Sequence, residues 1–467
     1  LVYSQHPIGT LEVDLDVIRR FDIKTPNYPL YPSINYFIDA FDASAHASWV
    51  GNRQIGGTRR PLSIYAHIPF CSSLCFYCKY NHIITNKKAD IEKYIGFLLR
   101  EIKLHEALFQ SDTSVEQIYF GGGTPSILNN DQLYRVMSGI YQHFSLTKNG
   151  ECTIEVDPRL TKGDSISTLR EIGFNSITLS VQDFDCEVQR AVHRNQNADD
   201  TLRVIHDAQQ GKLKSINIDL VYGLPRQSID KFDRTLEKII NARPNRISLV
   251  NYMHLPEKFK AQKHIKVKDL PLTETKLEII RHAINQLTKD GYVHIGINHF
   301  ARHDDKLVVA LQQGRLYRNF QGYSTHIDCD LIGLGVSAIG SIGPTYSQNY
   351  CNLDQYYDKL KQNTLPIMRG LELTTDDLLR RLVMHMLMCN STLSFESIET
   401  AFPIDFKHYF ETEMVELLEY EKAGLITLDD EEITATPKGR LLIWSICKVF
   451  DKYQRKHDER RIITNTI

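Results

Sequence analysis

The chain has 467 residues, of which 42% are hydrophobic and 24% charged, with a net charge of −2. That length calls for two or three domains around a sizeable core, and the near-neutral balance gives no general pull towards nucleic acid or anionic membrane, so neither is expected as a partner. The longest apolar candidate, around Leu331 to Ile342, is short and broken by glycines, which argues against a membrane span.

Leu1 to Thr10 lacks the charged-then-apolar order of a signal peptide. The stretch to Arg60 carries Pro26, Pro29 and Pro32 and has no long periodic segment, so residues 1–60 are expected to form an arm or lid. From Pro61 short strands alternate with helix-length segments. Strands are expected at Leu62–Ile68, Val115–Phe120, Thr153–Asp157, Ser176–Gln182, Ser215–Val221, Arg246–Tyr252 and Val293–Asn298. Amphipathic helices are expected at Ile91–Leu108, Asp131–Phe144 and Thr273–Leu287.

Repeated strand–helix units require a parallel sheet with helices outside it. A sheet covered on both faces has nearly continuous apolar strands. Here Ile154 and Val156 oppose Thr153, Glu155 and Asp157, while Ile177, Leu179 and Val181 oppose Thr178, Ser180 and Gln182. Ile216, Ile218 and Leu220 oppose Asn217 and Asp219, and Tyr65 and His67 share a face of the first strand. One face that is polar in strand after strand lines a cavity. The expected fold is therefore α/β, a partial, widened (β/α)6-type barrel over residues 61–350.

Residues 351–467 read as a mainly helical domain with a small hairpin, resembling a winged helix. Helices are expected at Leu373–Met388, at Phe406–Lys422 and from Lys438, with strands Leu425–Thr427 and Ile433–Ala435. The acidic run Asp429–Glu432 at the wing argues against phosphate contact and for packing onto the barrel.

Nine cysteines include three within eight residues, Cys71, Cys75 and Cys78, and six scattered singly. An odd count in a long chain points to a reducing compartment, and the expected location is the cytoplasm. The scattered ones, such as Cys152 and Cys447, are expected in the core. The C-x3-C-x2-C group follows Pro69 and therefore sits on a loop leaving the first strand. Three thiolates there can hold three irons of a [4Fe–4S] cluster and leave the fourth iron open. Structural zinc normally takes four protein ligands, for which His67 or His82 is available. Gly121–Gly123 with Thr124 and Pro125 ends the second strand and fits neither of the glycine-rich nucleotide-phosphate motifs.

The cysteine spacing is the signature of radical S-adenosylmethionine enzymes. Within that superfamily the chain resembles the oxygen-independent coproporphyrinogen III oxidases (coproporphyrinogen III dehydrogenases). The matching segments are YAHIPFC (65–71), FGGGTPS (120–126), IEVDPR (154–159), SVQDF (180–184), NIDLVYGLP (217–225), NHFAR (298–302), RNFQGYST (318–325) and KGRLLI (438–443). The resemblance implies a [4Fe–4S] cluster on Cys71, Cys75 and Cys78 and two molecules of S-adenosylmethionine. It assigns Tyr65, Gly122, Glu155 and Ile339 to the molecule on the cluster. Tyr77, Gly123, Thr124, Gln182, Arg194, Asp219 and Met253 are assigned to the second. His67, Phe320 and Gln321 match positions tied to activity, and Tyr65 and Glu155 join them as catalytic candidates. The implied reaction takes a β-hydrogen from each of two propionates of coproporphyrinogen III and yields protoporphyrinogen IX in haem biosynthesis. A tetrapyrrole substrate, an unidentified electron donor and a monomeric state are implied with it. Arg302 and Arg318 are candidates to meet the substrate carboxylates.

The sequence departs from the family pattern at Tyr80, where a fourth cysteine is usual, and at Tyr77, Met253 and Asn298, where Phe, Ala and Asp are usual. Related radical enzymes acting on another tetrapyrrole, and haem chaperones of the same fold, are the alternatives that these departures keep open.

Overall fold

The computed structural model describes residues 11–21, 31–54, 60–109, 114–161, 163–326 and 329–455. Pro26, Pro29 and Leu1 to Thr10 lie outside the described residues.

Six strands run in chain order through the centre of one large sheet: β1 (Leu62–Ile68), β2 (Ser114–Gly122), β3 (Ser145–Val156), β4 (Ser176–Gln182), β5 (Ser215–Tyr222) and β6 (Arg246–Asn251). Neighbours are parallel throughout. Helices Lys88–Phe109, Asn130–Tyr141, Ser165–Ile172, Ala198–Gln210 and Ile229–Ala242 make the crossovers. The strand beyond β6 is antiparallel: β7 (Tyr292–Gly296) folds back through β8 (His299–Arg302), and β8 is the one that pairs with β6. On the other side β1 pairs with a seventh parallel strand, Asp330–Leu334, after which three antiparallel strands, Ile339–Ile342, Thr345–Asn349 and Ile367–Glu372, extend the sheet to twelve. Among the described residues the two outer strands do not pair with each other, so the sheet is an open barrel.

The alternation along the strands explains this curvature. Ile154, Ile177, Leu179, Ile216, Ile218 and Leu220 are buried in one core beneath the helices. Glu155, Asp157, Thr178, Ser180, Asn217 and Asp219 face the interior of the barrel. A sequential strand order with all crossover helices on one side leaves the polar side to enclose a space.

Where expectation and structure differ, the cause is local. β3 begins eight residues before its expected start, because its polar, partly exposed first half pairs Ser145 and Leu146 with Ser114 and Val115. The barrel unit does not stop at residue 350. Ile367–Glu372 completes the sheet, and helix Leu353–Lys361 packs Tyr356, Tyr357 and Leu360 into the barrel core. The helix expected over 406–422 is broken into Phe406–Tyr409 and Glu411–Lys422 at Phe410, whose ring is buried against Phe406 and Phe450.

The C-terminal part has its own apolar cluster, with a three-stranded antiparallel sheet of Thr392–Ser394, Glu432–Ala435 and Ile426–Leu428. Helix Leu15–Phe21 of the N-terminal arm contributes Ile18 and Phe21 to that cluster, while Val50 of helix Ala43–Gly51 enters the barrel core. Cys152, Cys389 and Cys447 are buried, but Cys186 and Cys351 are exposed, so the scattered cysteines are not all core residues. All nine are free thiols. No helix among the described residues is long and apolar enough to cross a membrane.

Candidate functional site

The barrel encloses a cavity of about 1440 Å³ that reaches from the C-terminal ends of its parallel strands down to Gln117, Asn217 and Arg246 near their starts. Its wall takes in Cys71, Cys75 and Cys78, the glycines of β2, the polar faces of β3 to β5, the turn after β7, and the hairpin Tyr317–Ser324. Segments outside the barrel close it: Ser33–Tyr36 from the N-terminal arm, and Leu441 and Trp444 from the C-terminal part.

The cysteine loop is fastened at both ends and in the middle. Phe70 and Cys71 pair in parallel with Ile83 and Ile84, and the Ile83 amide donates to the Pro69 carbonyl at 2.7 Å. At mid-loop the Phe76 ring stacks between His193 (5.0 Å, 13°) and His264 (4.7 Å, 24°). The Phe76 amide donates to the Val192 carbonyl at 3.0 Å, and His193 Nδ1 lies 2.7 Å from the Leu74 carbonyl. Cys75 is therefore held between two anchored neighbours. Cys71 Sγ lies 3.4 Å from Thr124 Oγ1, Cys75 Sγ 3.7 Å from Arg194 Nη1, and Cys78 Sγ 3.5 Å from His82 Nδ1.

These thiols suit an iron–sulfur cluster. Burial pushes the Cys71 thiol up to about 11 and also raises that of Cys78, so metal must draw the protons off. Among the described residues no three His, Cys, Asp or Glu side chains group as one metal ion requires. Cys71, Cys75 and Cys78 all line the cavity, and three thiolates on one loop can hold three irons of a [4Fe–4S] cluster. Tyr80, where the family usually has a fourth cysteine, lines the same cavity, close enough to Glu155, Asp219 and Cys78 to feel their charges.

Three glycines bring β2 against β1. A Cβ on Gly123 would stand 2.7 Å from the Pro69 carbonyl oxygen, and one on Gly122 would stand 2.6 Å from the His67 ring. Gly122 also has φ of +120°, a conformation that side chains disfavour. Its amide donates to Glu155 Oε2 at 3.2 Å, and the Tyr119 hydroxyl donates to Oε1 at 3.0 Å. Tyr65 stacks on Tyr119 (6.1 Å, 25°), meets Phe320 edge-on at 5.2 Å, and places its hydroxyl 3.1 Å from His67 Nδ1.

The electrostatics favour a cationic guest. Burial, with Asp219 adding to it, pushes the Glu155 carboxyl up to about 7, and burial pushes Asp219 up to about 6. An amine or sulfonium nearby would favour the charged form of both. On the opposite side Arg194 donates to the Ser180 carbonyl at 2.6 Å and pairs with Asp157 at 3.3 Å. Burial works against the Asp157 charge, yet Arg194 and Arg159 hold that carboxyl below its ordinary range. Burial keeps His67 neutral, with its pKa lowered to about 4. Several buried polar atoms that line the cavity have no protein partner: His67 Nε2, Gln182 Oε1 and Arg194 Nε. Gln182 also sits at φ of +64° at the end of β4, a strained position of the kind that clusters at ligand sites. The residues present fit a polar, partly cationic cofactor.

All the residues expected to act in catalysis or to hold the cofactors line this one cavity: Tyr65, His67, Tyr77, Gly122, Gly123, Thr124, Glu155, Gln182, Arg194, Asp219, Met253, Phe320, Gln321 and Ile339, with the three cysteines. Arg318 and Asn298 line it too. Arg302 does not. It turns to the surface and pairs with Asp304 at 3.2 Å, so it is no candidate for a buried carboxylate. Sequence reading missed the His193–Phe76–His264 stack, His299 and Trp444. His299 and Trp444 had a nearby signal, the first inside the segment 298–302 and the second next to the segment 438–443.

Residues 65–239 match the Radical SAM superfamily and residues 373–442 the HemN C-terminal domain. An oxygen-independent coproporphyrinogen III oxidase from Pseudomonas aeruginosa is 44% identical over 96% of this chain and 97% of its own length. One from Escherichia coli is 41% identical over 96% and 97%. The solved structure described as coproporphyrinogen III oxidase (HemN) from Escherichia coli, a Radical SAM enzyme, superposes with a TM-score of 0.91, covering 95% of this chain and 100% of that one at 41% identity. This chain belongs to the family of oxygen-independent coproporphyrinogen III oxidases, within the Radical SAM superfamily.

Proposed function

We propose that this protein decarboxylates two propionate side chains of coproporphyrinogen III to vinyl groups without oxygen, giving protoporphyrinogen IX in haem biosynthesis. Family membership carries this reading, and the convergence of the expected catalytic and cofactor residues on one cavity supports it. Cys71, Cys75 and Cys78 would hold the [4Fe–4S] cluster. When bound, the cluster and S-adenosylmethionine supply an electron and a 5′-deoxyadenosyl radical. In the net change each propionate would lose a β-hydrogen atom to the 5′-deoxyadenosyl radical, carbon dioxide, and one electron to a one-electron acceptor.

The chain's own groups bind, orient and exclude water. Tyr65, Gly122, Glu155 and Ile339 would receive the S-adenosylmethionine on the cluster, with Glu155 facing its positive end. Tyr77, Gly123, Thr124, Gln182, Arg194, Asp219 and Met253 would receive a second molecule. A cavity of about 1440 Å³ exceeds the usual size of a single small-molecule pocket and supports more than one guest. Tyr65, His67, Glu155, Phe320 and Gln321 are the proposed catalytic set. Phe320, edge-on to Tyr65, lies where substrate and cofactor would meet. The enzyme would act in the cytoplasm as a monomer and draw electrons from a separate donor.

Asp219→Ala tests the second molecule. The variant should keep its cluster, since Asp219 touches none of the three thiols, and should lose most conversion to protoporphyrinogen IX. Normal turnover by the variant would refute the assignment.

A further inference from the structure

We infer that Arg318, Gln321 and His299 form an anchor for a substrate carboxylate, on the side of Phe320 away from the cysteine loop. This deepens the proposed function and rests on it.

The anchor is built on the hairpin Tyr317–Ser324. Its two strands pair Arg318 with Tyr323 and Asn319 with Gly322, which puts Phe320 and Gln321 at the tip. Asn319 Oδ1 accepts from the Gln321 amide at 2.9 Å and fixes that turn. Phe320 is spent on Tyr65, on the cofactor side. Arg318 lies on the other side, over Trp444 at 5.2 Å and Tyr323 at 5.6 Å. His299 reaches the same corner from β8: its ring meets Tyr323 at 5.3 Å, and its Nε2 would be 3.5 Å from a Cβ on Gly322.

These groups are left without partners. Arg318 Nε, both amide atoms of Gln321 and His299 Nδ1 are buried with no hydrogen bond. Each side chain lines the cavity. Among the described residues no acidic side chain pairs with Arg318, although its two aromatic neighbours hold it in place. Arginine cannot shed its charge to relieve burial. Burial, with Arg318 and Arg246 adding to it, lowers the His299 pKa to about 3, so the ring stays neutral and offers one N–H donor. A fixed guanidinium, an amide N–H and an imidazole N–H without an acceptor describe a site waiting for an anion. Their planar, forked geometry suits a carboxylate. Leaving such donors unmatched would be costly if nothing came to fill them. The proposed substrate has four carboxylates, and two of them do not react. An anchor beyond Phe320 would hold a side chain remote from the thiols while the ring presents another to Tyr65.

The test uses the anaerobically reconstituted holoprotein and coproporphyrin III, the fluorescent oxidised form of the substrate. Binding is measured by fluorescence titration beside coproporphyrin III tetramethyl ester, which lacks the charges. Wild type should prefer the acid over the ester. Arg318→Met should weaken binding of the acid about tenfold to a hundredfold, as expected for one charge-assisted contact among several, and leave ester binding alone. Arg318→Lys, which keeps the charge but not the fork, should fall between. Iron content and cluster absorbance check that each variant is folded. Equal acid and ester affinity in wild type, or equal acid affinity in wild type and folded Arg318→Met, would overturn the anchor alone. Failure of wild type to bind either compound would overturn the tetrapyrrole reading and the anchor with it.

Discussion

Replacing Glu101 by Gln should change how the stability of the protein depends on pH. Glu101 is fully buried on helix Lys88–Phe109, beneath the cavity wall. Its carboxylate accepts from the Gly335 amide at 2.7 Å, the Tyr356 hydroxyl at 2.6 Å and the Asn349 side chain at 2.7 Å. Next to it the Tyr94 hydroxyl accepts from the Val336 amide and donates to the His67 carbonyl at 2.7 Å. The network thus ties the segment leading to Ile339 to the strand that carries Tyr65 and His67. Despite three donors, burial pushes the Glu101 carboxyl from 4.5 up to about 7. Between those values the folded protein keeps a proton that the unfolded chain has released. Raising the pH across that window therefore removes stability, which is fully present below 4.5 and lost by about 7. At about 1.4 kcal/mol per pH unit, the loss is about 2–3 kcal/mol between about pH 5 and about pH 8. Gln has no proton to lose, so Glu101→Gln should lack this component. Urea unfolding of the metal-free protein, followed by the fluorescence of Trp49 and Trp444, gives stability at each pH. The wild-type curve should fall relative to the variant's by that amount as pH rises. Parallel curves would refute the reasoning, because both proteins share every other titrating group.

Gly123→Ala should bind much less iron on anaerobic reconstitution while remaining folded by circular dichroism, since the added Cβ meets the Pro69 and Phe70 carbonyls that support the cysteine loop. Cys75→Ala, as its comparison, should form no [4Fe–4S] cluster at all. Tyr80→Cys should change neither iron content nor product yield appreciably, because Cys71, Cys75 and Cys78 would already serve the cluster. Chromatography of the porphyrin product would reveal a gain if the thiol were needed.

Much of the barrel was legible because its signal is local. In β1 and β4 the apolar and polar residues alternate strictly, and both strands begin and end where that alternation does. The first half of β3 carries no such pattern, and only its pairing with β2 makes it a strand. The same reason hid the last sheet strand, Ile367–Glu372, whose place depends on antiparallel pairing with Thr345–Asn349, across the helix Leu353–Lys361. At the site, the cysteine loop and the glycine run are contiguous motifs and could be read directly. The stack of His193 and His264 on Phe76 joins three distant segments, and single histidines and a phenylalanine give no sign of it. Arg302 and Arg318 looked alike in sequence because each adjoins a recognisable motif. Only the fold separates them, turning one to Asp304 at the surface and the other over Trp444 in the cavity.

The central claim is tested most directly by supplying the reconstituted wild-type protein with coproporphyrinogen III, S-adenosylmethionine and a reductant under strict anaerobiosis. Porphyrins and 5′-deoxyadenosine are then quantified together by chromatography. Conversion to protoporphyrinogen IX, with 5′-deoxyadenosine accumulating alongside it, is the predicted result. Release of 5′-deoxyadenosine with every propionate carboxyl retained would contradict it.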